Sequence, residues 1–236
     1  MEQEVLEQEP LFRDRKDAGK KLASLIQTIY SFRRNEAIVL GIPRGGIAVG
    51  HPVAKALACP MEPVTVRKLP LPWNDQMGFG AVTLDKEVLL NETLFRQGLV
   101  SEGDISAVVE EVYRELLRRD ALYRGRRPFP ELTGKTVFVI DDGLATGATM
   151  RAALRYARSK GARETVAAVP VAHEEAFKLI KMEATAVVCL YVESGPSFAV
   201  ASYYGEFPDL SDEEVIALLK RGGTVHEKRS SPLRKN

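Results

Sequence analysis

The stretch Val137-Phe138-Val139-Ile140-Asp141-Asp142-Gly143-Leu144-Ala145-Thr146-Gly147-Ala148-Thr149 decides the fold. Its apolar, β-branched opening reads as a strand buried on both faces. The strand ends on two adjacent carboxylates, a loop of small and hydroxyl-bearing residues follows, and a helical pattern takes over across 147–160. In open parallel sheets, ligands lie outside the carboxyl ends of the strands, where this loop falls. Glycine and alanine let backbone N–H groups approach a ligand closely. Thr146 and Thr149 add hydroxyl donors, and the helix start adds its dipole and free amides. Together these make an anion cradle of phosphate size. Asp141 and Asp142 repel a phosphate but suit sugar hydroxyls or a hard cation such as Mg²⁺. A sugar phosphate satisfies both ends. A Walker A loop is excluded because Gly147 is followed by Ala148, and EF-hand spacing is absent.

The same alternation of strand and helix extends outward on both sides. Helical spacing covers 14–30, 46–58, 101–122 (with a capping-box pattern at Ser101 and Asp104), 173–182 and 211–220. Strand patterns cover Ala37–Leu40, Pro63–Val66, Thr136–Ile140, Thr165–Val169 and Ala186–Leu190, with a short piece at Phe198–Tyr203. Between 67 and 100, Pro70, Pro72, Asn74, Gly78 and Gly80 mark an irregular stretch. Ala81–Leu84 and Val88–Asn91 form a candidate hairpin after it. The expected fold is α/β, a central parallel sheet of about five strands with helices on both faces. A flexible loop and hairpin over about 67–91 and a small hood over about 191–207 complete it. The expected layout is a single domain over 1–236 with its core at about 11–190. The C-terminal helix, 211–220, opens on the capping box Ser211…Glu214, and the tail 225–236 reads as frayed.

Composition narrows the function classes. Among 236 residues, Lys+Arg 33 against Asp+Glu 32 leave a net charge of +1, which argues against a polyanion-binding face but leaves small anionic ligands open. No apolar run approaches the ~20 residues of a membrane span. The segment MEQEVLEQEPLFRDRK lacks a signal-peptide pattern. The expectation is a reduced, cytoplasmic protein with no membrane and no nucleic-acid partner. Cys59 and Cys189 sit in apolar company and read as buried free thiols. His51, His173 and His226 are too scattered for a His-rich metal site or a Ser-His-Asp hydrolase.

Two further segments follow strands. Gly41-Ile42-Pro43-Arg44-Gly45-Gly46 offers backbone amides and a guanidinium, or else a simple turn with a surface arginine. Arg67-Lys68 places two cations before the irregular stretch, either at a site or in solvent. Arg124, Arg126 and Arg127 form another basic cluster, for which a solvated face is favoured over a reach to phosphate.

From about Leu11 to about Lys220, the chain resembles the type I phosphoribosyltransferases. Their signature is four apolar residues, an acidic pair and a small/hydroxyl loop that binds the 5-phosphate of phosphoribosyl pyrophosphate (PRPP). Phe12-Arg13-Asp14-Arg15, the Arg67–Val82 loop and Tyr203-Tyr204 resemble an uncharacterised branch of that family. The resemblance implies that Asp141 and Asp142 hold the ribose hydroxyls and touch Mg²⁺ indirectly, through Mg-PRPP. It implies that Gly143, Leu144, Ala145, Thr146, Gly147, Ala148 and Thr149 surround the 5-phosphate. It also implies that Arg44, Gly45 and Gly46 meet pyrophosphate, often across a cis peptide, with Arg67 and Lys68 acting beside the aspartates as catalytic groups under a closing loop at 69–80. The implied reaction moves the phosphoribosyl group to a nitrogen acceptor, most simply a nucleobase, and releases pyrophosphate. The implied cofactor is Mg²⁺ and the implied assembly is a homodimer.

Two departures from the family pattern stand out. Gly143 replaces a branched aliphatic, and Ala145 replaces the carboxylate of 6-oxopurine members, which argues against hypoxanthine and guanine. Hood aromatics Phe198, Tyr203, Tyr204 and Phe207 either stack on an acceptor or pack into the core, and packing is favoured. A non-catalytic sensor of PRPP or nucleotides, and a ribose-phosphate phosphohydrolase, are the alternatives.

Overall fold

The computed structural model describes residues 10–32, 36–71, 74–90 and 102–221. In chain order they form α1 (Arg15–Ile29), β1 (Ala37–Gly41), α2 (Gly45–Ala56), β2 (Met61–Pro63), β3 (Arg67–Leu71), β4 (Asn74–Val82), β5 (Val88–Leu90) and α3 (Glu102–Arg124). There follow β6 (Thr136–Ile140), α4 (Ala148–Ser159), β7 (Glu164–His173), α5 (Glu174–Glu183), β8 (Ala186–Glu193), a 3₁₀ turn (Val200–Tyr203) and α6 (Asp212–Arg221).

The expected parallel sheet is present, with five strands in the order β2-β1-β6-β7-β8. Every residue of β1 and β6 is buried, which explains their unbroken apolar sequences. Side-chain alternation splits them between two layers. Val39, Phe138 and Ile140 face α1, α2 and α6, where Leu22, Ile26, Val53 and Leu219 cover them. Ile38, Val137 and Val139 face α4 and α5, under Met150, Leu154 and Ile180. A fully buried Phe138 contributes about 1.5–3 kcal/mol over an exposed one. The helix ends agree with the sequence pattern. Asp14 caps α1 by accepting from the Asp17 amide at 2.7 Å, and Ser211 and Glu214 form the reciprocal capping box of α6.

The register places the site. Strands β1 and β6 run level, Gly41 opposite Ile140, and the Ile42 amide donates to the Ile140 carbonyl at 2.9 Å. The loops after these two strands therefore leave the sheet side by side, at the point where the strand order reverses.

Three expectations are corrected. The strand at 63–66 is displaced to Met61–Pro63, because pairing with the short β1 runs only from Val39↔Met61 to Gly41↔Pro63. The Val64 amide still donates to the Gly41 carbonyl at 3.0 Å, and beyond it the segment to Val66 leaves the ladder. The stretch 69–80, read as a mobile loop, belongs largely to a second sheet, antiparallel and ordered β3-β4-β5. Pro70 sits at a register shift on its edge strand, where a missing N–H costs little, so proline here marks irregular pairing. Together with α3 this sheet encloses a core of its own, built on Leu69, Leu71, Phe79, Val82, Val109 and Leu116. Finally, Phe198–Tyr203 contains a 3₁₀ turn, not a strand. The Phe12 amide donates to the Tyr203 carbonyl at 3.0 Å, so the hood closes on the N-terminal segment and adds no strand to the sheet. Ser101, Asn91, Pro72, His226 and the tail 225–236 lie outside the described residues.

Candidate functional site

A cleft of about 470 Å³ opens beyond the carboxyl ends of β1 and β6. One wall comes from the parallel sheet and carries Ile42–Gly45, Asp141, Asp142 and Thr149. The other comes from the second sheet and α3, with Arg67, Lys68, Pro70, Val112 and Arg119, and Thr65 and Val66 lie at the seam. The fold thus brings Arg44, Gly45, Arg67, Lys68, Asp141, Asp142 and Thr149 into one space.

The remaining expected positions lie around that space. Gly46 is buried where α2 meets the end of β6. Leu144 is buried and tied to β7, its amide donating to Val171 and its carbonyl accepting from His173. Ala145 and Thr146 are exposed, Gly147 caps α4, and Ala148 is its first residue. Gly143 is covered by the hood: a Cβ there would lie 2.4 Å from Val200. The family's branched residue would not fit under this hood.

The acidic side is tightly held. The Asp142 amide donates to Asp141 Oδ1 at 2.9 Å. Burial, and then the neighbouring Asp142 charge, push the Asp141 carboxyl well above the ordinary carboxylate range. Asp142 Oδ2 accepts from Arg15 Nε at 2.8 Å, and its carbonyl accepts from the Tyr204 hydroxyl at 2.6 Å. A Cβ on Gly45 would lie 1.9 Å from Asp142 Oδ2, so only glycine lets the two loops approach this closely. The Pro43–Arg44 peptide bond is cis.

The cationic side carries like charges in proximity. Burial, followed by the charge of Arg119, lowers the Arg67 guanidinium pKa from its ordinary value. Among the described residues no carboxylate lies within 4.0 Å of Arg44 or Arg67. Arg119 Nε donates to Glu115 at 2.8 Å, and Arg118 and Arg119 together hold Glu115 down at about 2.

Sequence reasoning missed Arg119, Thr65 and Arg15. Arg119 lies four residues after Glu115 on a helix whose apolar stripe drew attention, and only the tertiary fold turns it to the cleft. The basic cluster at 124–127 is corrected in part. Arg124 is buried, donating to Asp120 at 2.9 Å and to the Pro63 carbonyl at 2.7 Å, and it meets Glu62 at 3.5 Å. Arg127 also meets Glu62, at 3.0 Å, and Arg126 is exposed. Thr65, at the seam, donates to Asp120 at 3.1 Å. These groups tie α3 to β2 behind the cleft. Among the hood aromatics, Tyr203 packs against Tyr191 and Phe198, and Tyr204 against Phe12 and Phe207. Neither cysteine is in a disulfide; Cys59 is buried and Cys189 only half-buried.

Residues 12–202 match the phosphoribosyl transferase domain. The chain belongs to this family. Two Mycobacterium tuberculosis relatives, each provisionally named a phosphoribosyl transferase, are 37% identical over 231 residues, covering 95% of this chain and 51% of theirs. The chain thus spans about half the length of the curated relatives it matches. The crystal structure of TT1426 from Thermus thermophilus superposes with a TM-score of 0.74 at 36% identity, over 89% of this chain and 98% of that one. Among the described residues, no helix is long and apolar enough to cross a membrane.

Proposed function

We propose that this chain transfers the 5-phosphoribosyl group of PRPP to a nitrogen acceptor, a nucleobase or related heterocycle, and releases pyrophosphate. The observation that carries this reading is one cleft with walls of opposite charge. Arg67, Lys68 and Arg119 face Asp141 and Asp142 across about 470 Å³, and Arg44 adds a cation on the carboxylates' own side. A sugar bearing hydroxyls at one end and a diphosphate at the other matches that separation.

In the reaction, the acceptor nitrogen forms a bond to carbon 1 as the bond from carbon 1 to the pyrophosphate oxygen breaks. Positive charge develops on the ribose and negative charge on the leaving group. Asp141 and Asp142 hold the ribose hydroxyls and lie close to the growing positive charge. The amides at the start of α4, with Thr146 and Thr149, hold the 5-phosphate at the positive end of the helix. Arg44, Arg67 and Lys68 and the amides of Gly45 and Gly46 stabilise the departing diphosphate; one such pre-aimed donor is typically worth about 10²–10³ in rate. The second sheet and α3, bonded to the core through Arg124 and Thr65, act with it as one domain and shield the site from water.

Mg²⁺ fits this donor set in one way. No group of three metal-ligating side chains occurs among the described residues, and Asp142 is already paired with Arg15. A cation carried on the phosphate oxygens and met by Asp141 and Asp142 agrees with how Mg²⁺ is usually held. When bound, it supplies charge neutralisation at the diphosphate. Ala145 in place of a carboxylate favours an acceptor other than hypoxanthine or guanine.

The test is pyrophosphate release from PRPP and Mg²⁺ in the presence of a panel of bases. Release that depends on one base supports the transferase and names its acceptor. PRPP binding without turnover on any base favours a sensor, and base-independent release favours a hydrolase.

A further inference from the structure

Arg15 lies at the first turn of α1, far in sequence from the acidic loop, yet it contacts that loop directly. Its Nε donates to Asp142 Oδ2 at 2.8 Å, across 127 residues. Its Nη1 donates to the Pro208 carbonyl at 2.7 Å, and its guanidinium carbon lies 3.6 Å from the centre of the Phe207 ring. The Arg15 and Asp142 side chains are only 11% and 18% exposed. A planar guanidinium held by a ring face and two oxygens in different directions has one orientation, which a lysine cannot reproduce.

The two aspartates are consequently unequal. Asp142 is fixed twice, by Arg15 at its carboxylate and by Tyr204 at its carbonyl, and its Oδ2 rests against Gly45. Asp142 lines the cleft while its carboxylate is held by Arg15. Asp141 has no arginine or lysine within 4.0 Å among the described residues. Arg15 itself does not line the cleft.

We propose that Arg15 is a positioning residue that acts through Asp142. It fixes the carboxylate that meets the sugar hydroxyls and cancels one of two negative charges beside a polyanionic substrate. Breaking a buried ion pair leaves an uncompensated charge, so Arg15 is tied to the site energetically as well as sterically. The inference rests on the PRPP reading for the identity of the ligand, but the Arg15–Asp142 pairing stands apart from it.

The experiment is a double-mutant cycle with Arg15→Ala, Asp142→Asn and both together, plus Arg15→Lys and an Arg13→Ala control. PRPP with Mg²⁺ is titrated by calorimetry, KM and kcat are measured where turnover exists, and each variant is melted without ligand. Arg15→Ala is expected to weaken PRPP binding and raise KM by tenfold or more, with kcat changed less than threefold. Arg15→Lys recovers part of the loss, and Arg13→Ala, an exposed neighbour, shows none. On the Asp142→Asn background, Arg15→Ala should add less than twofold. If Arg15→Ala does not fold, Arg15→Gln replaces it, keeping volume while removing the charge, under the same expectations. A folded Arg15 variant that binds PRPP within twofold of the parent overturns the proposal, and so does an equal loss on both backgrounds. A parent chain that binds no PRPP overturns the functional reading instead. In that case the melting cycle decides the pairing, with strictly additive shifts in melting temperature overturning it and non-additive shifts supporting it.

Discussion

The two walls of the cleft are built by different means. The acidic wall stands on the ends of β1 and β6, whose residues are all buried and whose registers are locked to each other. The cationic wall stands on a three-stranded antiparallel sheet and one long helix with a separate core. Behind the cleft, that assembly meets the main body through apolar packing of Ala81, Leu89 and Tyr123 and through polar ties, Arg124 to Glu62 and Pro63 and Asp120 to Thr65. The Tyr123 hydroxyl adds a bond to Asp212, which with burial pushes it up to about 12. Close-packed apolar layers hold the carboxylates in place, whereas the placement of the cations combines a smaller apolar core with buried charges at the seam. The difference can be tested from either side.

The largest effect is expected on the acidic wall. Asp141→Asn with Asp142→Asn removes two charge-assisted hydrogen-bonding groups, each worth about 1.5–3 kcal/mol, so PRPP affinity should fall more than a hundredfold. Circular dichroism should remain that of the parent. Calorimetry showing unchanged affinity would sink the site assignment.

Next comes the tie between the walls. Arg124→Met leaves the buried Glu62 with one arginine fewer and removes the donor to the Pro63 carbonyl, which should cost about 1–3 kcal/mol. For a chain of this size the melting temperature should drop by roughly 5 °C. Hydrogen exchange should then show residues 67–71 and 102–124 losing protection before the parallel sheet does. Simultaneous loss everywhere would erase the contrast between the walls.

The cationic wall gives a smaller effect, spread over several side chains. Arg119→Ala should raise KM for PRPP by about tenfold to a hundredfold, the value of one charged hydrogen bond. A KM equal to the parent's would remove Arg119 from the site.

The smallest effect concerns acid stability. Arg155, with help from Arg151, holds Glu183 down at about 2 on the parallel-sheet side. On the cationic side Arg118 and Arg119 do the same for Glu115, which is more exposed. A carboxylate whose pKa is depressed on folding contributes stability above its unfolded value, here an ordinary 4.5, and loses it as pH falls toward 2. Melting temperatures between pH 5 and pH 2 should therefore flatten in Glu183→Gln, and less in Glu115→Gln because water screens that pair. Equal flattening in both would contradict the difference in exposure.

The acidic wall was legible in the sequence, and the cationic wall was so only in part. Continuous apolar strands, an acidic pair and a small-residue loop are local patterns, and they pointed to the parallel sheet, Asp141, Asp142 and Thr149. Arg44, Arg67 and Lys68 were found because they follow strands. The strands around Pro70, Gly78 and Gly80 were not seen, because Pro70 is tolerated at a register shift on the edge strand, while Gly80 sits on the central strand where a Cβ would lie 2.3 Å from the Leu89 carbonyl. Phe198–Tyr203 alternates like a strand but takes its shape from docking on Gly143 and Phe12. Arg119 carries no local signal, and Arg15 stands in a family-like stretch that assigned it no role, since each gains its role from a partner element brought up by the tertiary fold.

The contacts of Arg15 also set an order of events during synthesis. Arg15 leaves the ribosome 127 residues ahead of Asp142, and Phe207 and Pro208 follow later still. A nascent chain can lay down α1, β1 and the second sheet long before that. Its acidic loop can be completed only after residue 208 has emerged, so the centre of the cleft is finished after the two sheets that frame it.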